Sequence, residues 1–547
     1  MPSPVLQTRA PLLWLLLPLM AGLAAARIWP APSAGLWPVI AGAGVAASLA
    51  LWAAWRGCDR CAMTALVLAG GLAGFALLHL RHPQLHHWEL RPPREITLTV
   101  KVTGTFRAAP PARSLGGLGR VTATGAHDAD LPGQQIYFSA IRRISVPPRV
   151  SGEYRIQGVL EPLPRDPAGS GFNDYLANLG VRQRLVRARV LREVAPPDRP
   201  RLLVAELRGR FEEILRHGLE RHPQTASLYL AMLLGEKAEL SPEQKSAFVR
   251  SGTFHVFSVS GLHVGVIALA LHMLQTVLRV PRRPGAVVTL GVLWLYVLVT
   301  GGGTPSLRAW IMTAFLLASH VFRLPGNALA ALTASALVTL LVEPVQLFST
   351  GFQMSYAVVA ALILLGAPLA GRWLEHWKPF VLRPRPEWRW WHDFINWAGR
   401  KAIAAAAGCW AAFLASAASG IGFFGVFSPG SLLANLLILP LSSLAIIAGF
   451  LSLLTGLAGL LPLSALFNSA AALIILAADG LLRHGTALPG VYFPAAFRGD
   501  WLAPAAMALM TAVLLAGAAV RWQPRWGGCW PPVVVLALLL IFGVKFG

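Results

Sequence analysis

The sequence has 547 residues, 55% of them hydrophobic and only 13% charged, with a mean hydropathy of +0.58. That balance excludes an ordinary soluble enzyme and points to a multi-pass membrane protein. Lys and Arg outnumber Asp and Glu by 47 to 24, a formal charge of +23 that requires a source in topology, in binding, or in both.

A hydrocarbon core of about 30 Å takes roughly 20 apolar residues per helix. Runs of that kind predict thirteen spans, near 11–27, 36–55, 62–80, 255–277, 285–302, 306–322, 326–342, 351–370, 402–420, 431–457, 462–482, 502–520 and 530–545. The fold class expected is a mainly α-helical polytopic membrane protein of about 11 to 13 spans with an inserted small β domain. The opening run "LWLLLPLMAGLAAAR" imitates a signal peptide, with Ala24 to Ala26 as a small-residue cleavage site. A second apolar run follows at once, so it reads as a retained first span, and residues 1–80 as three transmembrane helices. Basic loops at Arg56–Arg60, Arg279–Arg283, Arg372–Lys401 and Arg521–Arg525 place the N-terminus inside and the C-terminus outside.

Residues 81–200 change period. "ITLTVKVTGTF", "GRVTATG", "QQIYFSAI", "GEYRIQGVL" and "RARVLREV" alternate as short strands between Pro, Gly and Asp clusters. Five such strands suit a small barrel of the oligonucleotide-binding type or a fragment of a β-sandwich, and the pattern alone does not choose. Residues 81–221 carry 23 Lys and Arg against 14 Asp and Glu, on the side where positive-inside bias gives no reason for the excess. A basic soluble face suggests a polyanionic partner; a generic basic surface would read the same.

Amphipathic, interfacial helices are expected over 201–250. "RLLVAELRGRFEEILRHGLE" puts Leu203, Leu207, Phe211, Ile214 and Leu215 on one face. Residues 251–547 are mostly membrane, broken by "RWLEHWKPFVLRPRPEWRWWHDFINWAGRK". Its tryptophans and cations suit contact with membrane lipids at headgroup depth, or stacking on single-stranded nucleic acid. Cys58 and Cys61 form a lone C-x-x-C, too few ligands for a tetrahedral zinc site; no metal and no cofactor are expected.

Polar residues recur where the apolar runs begin. His255, Ser258, Ser260 and His263 punctuate "FHVFSVSGLHVG"; Arg308 follows "TGGGTPS"; Gln353 and Ser355 lie in "GFQMSY"; Asn435 lies in "LLANLL". Gly301, Gly302, Gly303 and Pro305, then Pro429, Gly430 and Pro440, are expected to break helices beside them. Such groups in lipid face a bundle interior or a wet cavity, or act as interhelical glue; Arg308 has the alternative of snorkelling to the outer interface.

The stretch "LLGEKAELSPEQKSAFVRSGTFHVFSVSGLHVG" at 233–265 resembles the signature of the ComEC family of DNA-internalisation channels. "PSLRA" at 305–309, "EPVQLFSTGFQMSY" at 343–356 and "FSPGSLLANLLILPL" at 427–441 follow in the family's order, and "SGFNDYLANLGV" at 170–181 is a weaker likeness upstream. The resemblance implies an oligonucleotide-binding barrel at 81–200, periplasmic, and a polytopic competence channel domain at 251–547. It implies an inner-membrane channel passing single-stranded DNA, without sequence preference, into the cytoplasm during natural transformation. In such a channel the polar side chains that are costly in lipid, His255, Ser260, His263, Arg308, Gln353, Ser355 and Asn435, would line the DNA path, with no catalytic residue.

Many family members end in a metallo-β-lactamase-like domain with an H-x-H-x-D-H motif, which does not occur in this sequence. The family's soluble region can also carry a disulfide, whereas residues 81–200 contain no cysteine. A nuclease and a DNA receptor are therefore expected on separate chains. The sequence also lacks a Gly-Lys dipeptide and hence the usual P-loop, so the pull is expected from a separate cytoplasmic ATPase or helicase, or from the proton gradient. Two other readings stand beside the channel: an intramembrane serine protease built on Ser260 and His263, and a small-molecule transporter.

Overall fold

Three apolar helices open the computed structural model, which describes residues 11–29, 35–81, 92–107, 114–125, 128, 131–141, 148–164, 172–236, 240–257, 259–380, 388–499, 501–524 and 527–547. They are α1 (Leu13–Ile28), α2 (Leu36–Trp55) and α3 (Asp59–Arg81). α1 and α3 meet backbone to backbone: a Cβ on Gly22 would lie 1.9 Å from the Gly71 oxygen, and one on Gly74 2.3 Å from that of Leu19. Small residues allow such approaches between membrane helices. A disulfide joins Cys58 and Cys61 in the α2–α3 turn.

The barrel consists of β1 (Arg94–Arg107), β2 (Ser114–Ala123), β3 (Gln135–Ile141), β4 (Glu153–Pro162), the short helix α4 (Phe172–Asn178) and β5 (Gln183–Ala195). It closes in the order β1-β2-β3-β5-β4, with β3 and β5 parallel and every other pair antiparallel. Closure decides between the barrel and the sandwich fragment. Leu98, Val100, Phe138, Ile156 and Leu185 alternate inward to fill it.

Three strands begin earlier than their patterns predict, β1 by two residues and β2 and β5 by more. β2 starts at Ser114 rather than Gly119, because the glycines of "LGGLG" have weak strand propensity yet are needed by the barrel. A Cβ on Gly117 would lie 2.2 Å from Cζ of Phe138, so the missing side chain is what admits that ring. β5 starts at Gln183 rather than Arg187; Arg187 sits at φ +51, where the register against β3 and β4 slips, a bulge that hides the alternation.

α5 (Arg199–Arg216) leaves the barrel at Asp198, whose carboxylate accepts a hydrogen bond from Ser151 Oγ. Phe211 and Leu215 are buried, and Val204, Leu207 and Ile214 pack on the same core. Leu203 departs from the prediction: it is 65% exposed, because the contact stripe through Val204, Leu207 and Phe211 is centred about 70° round the helix from it.

The chain continues through α6 (Pro223–Leu234), α7 (Pro242–Arg250), a 3-10 turn (Phe254–Phe257), α8 (Gly261–Val277), α9 (Arg282–Val299), α10 (Thr304–Val321) and α11 (Ala328–Val342). α12 (Thr350–Ala361) passes through a π turn (Leu362–Gly366) into α13 (Ala367–His376). Then come α14 (Trp390–Phe424), β6 (Val426–Phe427), α15 (Ser431–Leu457), α16 (Leu461–Thr486), β7 (Phe493–Phe497), α17 (Leu502–Ala519), α18 (Pro531–Leu538) and β8 (Val544–Phe546).

Each of the thirteen predicted spans coincides with a helix. Among the described residues eight helices are long and apolar enough to cross a membrane, with shorter apolar helices beside them, as in a multi-pass membrane protein. β6, β7 and β8 pair into one sheet, so the connections after α14, α16 and α18 lie on one side. Two helices separate each from the next, as the alternation of the basic loops requires. One predicted break is corrected: α15 runs through Pro440 without interruption. Proline removes one hydrogen bond there, and neighbouring helices make that tolerable in a membrane bundle.

Candidate functional site

Three of the predicted polar motifs lie where helices begin close together. A Cβ on Gly261, the first residue of α8, would lie 3.8 Å from Cβ of Ala309 in the second turn of α10. One on Gly351 would lie 4.0 Å from Cγ of Pro305, so the starts of α10 and α12 also adjoin. The first residue of α15, Ser431, abuts Gly252 on the approach to α8: a Cβ there would lie 2.7 Å from Cβ of Ser431. Helix N-termini present unsatisfied N–H groups and partial positive charge, so this region favours anions before any side chain is added.

α8 opens with a capping box. Ser260 Oγ accepts from Leu262 N–H at 3.2 Å, and Ser260 N–H donates to His263 Nδ1 at 3.3 Å, with Oγ 3.2 Å from the same nitrogen. With Nδ1 accepting, the ring proton belongs on Nε2. His263 is fully buried, and its Nε2, near the Met232 backbone, closes no well-formed hydrogen bond. His255, on the 3-10 turn, is exposed. Ser258 lies outside the described residues.

The glycine and proline break before α10 is a tight turn. Gly301 and Gly302 adopt φ +92 and +64 and close α9 through Leu298 and Val297 carbonyls; Gly303 and Pro305 start the next helix. Arg308 follows one turn later and is 2% exposed, so it does not snorkel. Its Nη2 donates to the Gly351 carbonyl at 2.7 Å, and the guanidinium lies 4.9 Å from the Tyr356 ring centroid and 5.9 Å from that of Phe352. Nε and Nη1 have no acceptor, and no carboxylate pairs with it among the described residues. Tyr356 is held in turn by Ser335 and Thr339 of α11, at 3.2 and 3.3 Å.

Ser349 caps α12 by accepting from Phe352 N–H. Gln353 Nε2 donates to the Leu347 carbonyl at 3.0 Å, and its Oε1 is left without a donor. Ser355 is partly exposed, and Asn435, one turn into α15, keeps a buried, unpartnered Oδ1. No hydrogen bond among the described residues joins Ser355 or Asn435 to the other predicted site residues. Pro429 and Gly430 precede α15 as expected; Gly430 has no room for a side chain, since a Cβ would lie 2.5 Å from Cγ1 of Val491.

Buried polar atoms in proteins nearly always have partners. Among the described residues nine buried side-chain nitrogens and oxygens lack one, and five of these belong to His263, Arg308, Gln353 and Asn435. Four of the seven side chains singled out for their cost in lipid thus have bonding capacity to spare.

Sequence reasoning missed two supports. Gly235 ends α6 at φ +73, and the next residue, Glu236, accepts from Arg208 Nη2 at 2.8 Å; Arg208 also pairs with Glu212 and donates to the Val299 carbonyl beside the glycine turn. Asn468, fully buried in α16, donates to the Ile214 and His217 carbonyls at 2.7 and 2.9 Å and accepts from Tyr229 Oη at 3.1 Å. Its signal was a lone amide in an apolar run, the same one that marked Asn435.

The family described as competence protein matches residues 232–524, more than half of the chain. ComE operon protein 3 of Bacillus subtilis (strain 168) is 32% identical over 142 residues, 26% of this chain and 18% of that protein. Competence protein ComA of Neisseria gonorrhoeae is 35% identical over 146 residues, 25% of this chain and 21% of that one. Recombination protein 2 of Haemophilus influenzae is 27% identical over 170 residues, 29% and 21% respectively. The matched segments thus span about a fifth of each relative's length. No solved structure matches the chain. On a match that takes in the helices from α8 to α17 and every predicted site residue, the chain belongs to the competence-protein family.

Proposed function

We propose that this protein acts in DNA uptake during natural transformation, as a bacterial inner-membrane channel that passes one DNA strand into the cytoplasm without regard to sequence. The observation that carries the reading is the set of unpartnered buried atoms on His263, Arg308, Gln353 and Asn435 beside helix N-termini. A guanidinium with two free donors suits a phosphodiester, and amide groups suit phosphates, sugars or base edges alike. The barrel collects DNA outside by phosphate attraction, and the strand passes Arg308 between the starts of α10 and α12. A separate ATPase or helicase, or the proton gradient, supplies the energy, and a separate receptor delivers the DNA.

One contact bears on the protease alternative, the 3.2 Å separation of Ser260 Oγ and His263 Nδ1. The capping box accounts for it: the same hydroxyl accepts a backbone N–H and the same nitrogen accepts another. We therefore assign the Ser260–His263 contact a structural rather than a catalytic role. The experiment that tests the channel is import of labelled DNA by cells carrying Arg308→Ala, scored separately for DNA held outside and DNA in the cytoplasm.

A further inference from the structure

The outer wall of the barrel has two unlike halves. Over β2 and β3 it is closed: Leu118 packs with Leu163, Leu176 and Val181, and Tyr137 joins them with its ring 5.4 Å from that of Phe172 on α4. Oligonucleotide-binding barrels take their ligand on the face of strands 2 and 3. Here the chain's own helix and flanking loops fill that face.

The other half, from the far end of β2 across β1 and β4 to β5, is bare and basic. Lys101 lies directly opposite Arg120, and Arg155 directly opposite Arg192. Thr99, two residues along β1 from Lys101 on the same face, pairs with Arg155 and makes the row continuous. These four cations are exposed, as is Arg189 opposite Gln157, and none closes an ion pair among the described residues. Glu153 lies directly opposite Lys101 on β4 while Glu193 and Asp198 border the row, and five cations against these three carboxylates leave it net positive. Like charges directly across antiparallel strands destabilise a sheet; Glu153 offsets this at Lys101, whereas Arg155 and Arg192 face each other with no carboxylate directly opposite, and a bound polyanion relieves them. Three steps of about 4.8 Å between strands make the row about 14 Å long, enough for successive phosphodiesters of one strand rather than for one lipid headgroup.

Resting on the channel reading, we propose that the barrel holds single-stranded DNA by its sugar–phosphate backbone across the β2-β1-β4-β5 wall, on Lys101, Arg120, Arg155, Arg189 and Arg192. The described part of this wall offers cations rather than aromatic rings, so binding is driven by charge and indifferent to base identity.

The test uses the full chain in nanodiscs of zwitterionic lipid and a fluorescent 20-mer oligothymidylate, read by anisotropy over a salt series. The triple variant Lys101→Gln, Arg155→Gln, Arg192→Gln changes only exposed side chains, and its folding is checked by amide exchange in the barrel. Expected are an affinity loss of about tenfold or more at low salt and a shallower slope of log K against log salt, by about 2, since each phosphate contact contributes roughly 0.7. Unchanged affinity and slope in a folded triple variant would overturn the proposal. So would a variant that binds oligonucleotide normally but has lost binding to phosphatidylglycerol vesicles, which would make the row a lipid contact. The channel reading is scored separately, by import in Arg308→Ala cells, so either can fail while the other stands.

Discussion

Arg308 gives one hydrogen bond, from Nη2 to the Gly351 carbonyl at 2.7 Å, and lies against the ring of Tyr356 with its other two nitrogens unanswered. One carbonyl and an aromatic face hold the guanidinium between α10 and α12 without neutralising it. Arg308→Lys keeps the charge and reaches for the same carbonyl but gives up the planar stack and the fork. DNA import is expected to fall by about tenfold, the equivalent of a desolvated cation–π contact of roughly 1–2 kcal/mol, and to remain above the Ala variant. Quantitative uptake at matched protein level checks the order.

Ser260 acts as a helix cap, so Ser260→Ala costs about 1 kcal/mol of helix stability and leaves most import intact. A serine nucleophile would instead lose all turnover. Import and thermal stability of the same variant, measured together, separate the two roles.

Asn468→Ala leaves Tyr229 Oη and the Ile214 and His217 carbonyls without their partner inside the bundle. A loss of about 2–3 kcal/mol is expected, since the cost is that of stranded polar groups rather than of one bond. It should appear as a lower melting temperature in detergent and reduced accumulation in cells, with the oligonucleotide affinity of the surviving protein unchanged.

The Ser151 hydroxyl holds the Asp198 carboxyl below its ordinary range, with Lys101 and Arg201 adding to the effect. A depressed carboxylate stabilises the fold fully above its unfolded pKa of about 3.9, and the contribution fades as pH falls through the lower folded value. Amide exchange at the start of α5 should therefore accelerate on acidification below about pH 4. Ser151→Ala is expected to remove that step while leaving exchange in β3 unaltered.

The membrane helices were legible because roughly 20-residue apolar runs have few other uses, and the strands because alternation survives in a half-buried wall. What hid was where local pattern and tertiary demand part. "LGGLG" reads as a turn until Phe138 needs the space, and Arg187 breaks an alternation that resumes beyond its bulge. Pro440 reads as a stop but sits inside α15, where packing outweighs the lost bond. Arg308 was legible from cost alone, since a cation in an apolar run needs a partner; that its partner is a carbonyl on α12 was not, because no local rule relates residues 308 and 351. Glu236 and Asn468 escaped for the same reason, their partners lying far away in sequence.

The most direct test of the channel is uptake of labelled DNA by cells whose only copy carries Arg308→Ala, with protein level and membrane insertion verified. If Arg308 lines the path, DNA accumulates outside in protected form while cytoplasmic DNA falls to the level of a strain lacking the gene. Normal cytoplasmic import by a stably inserted Arg308→Ala protein would contradict it.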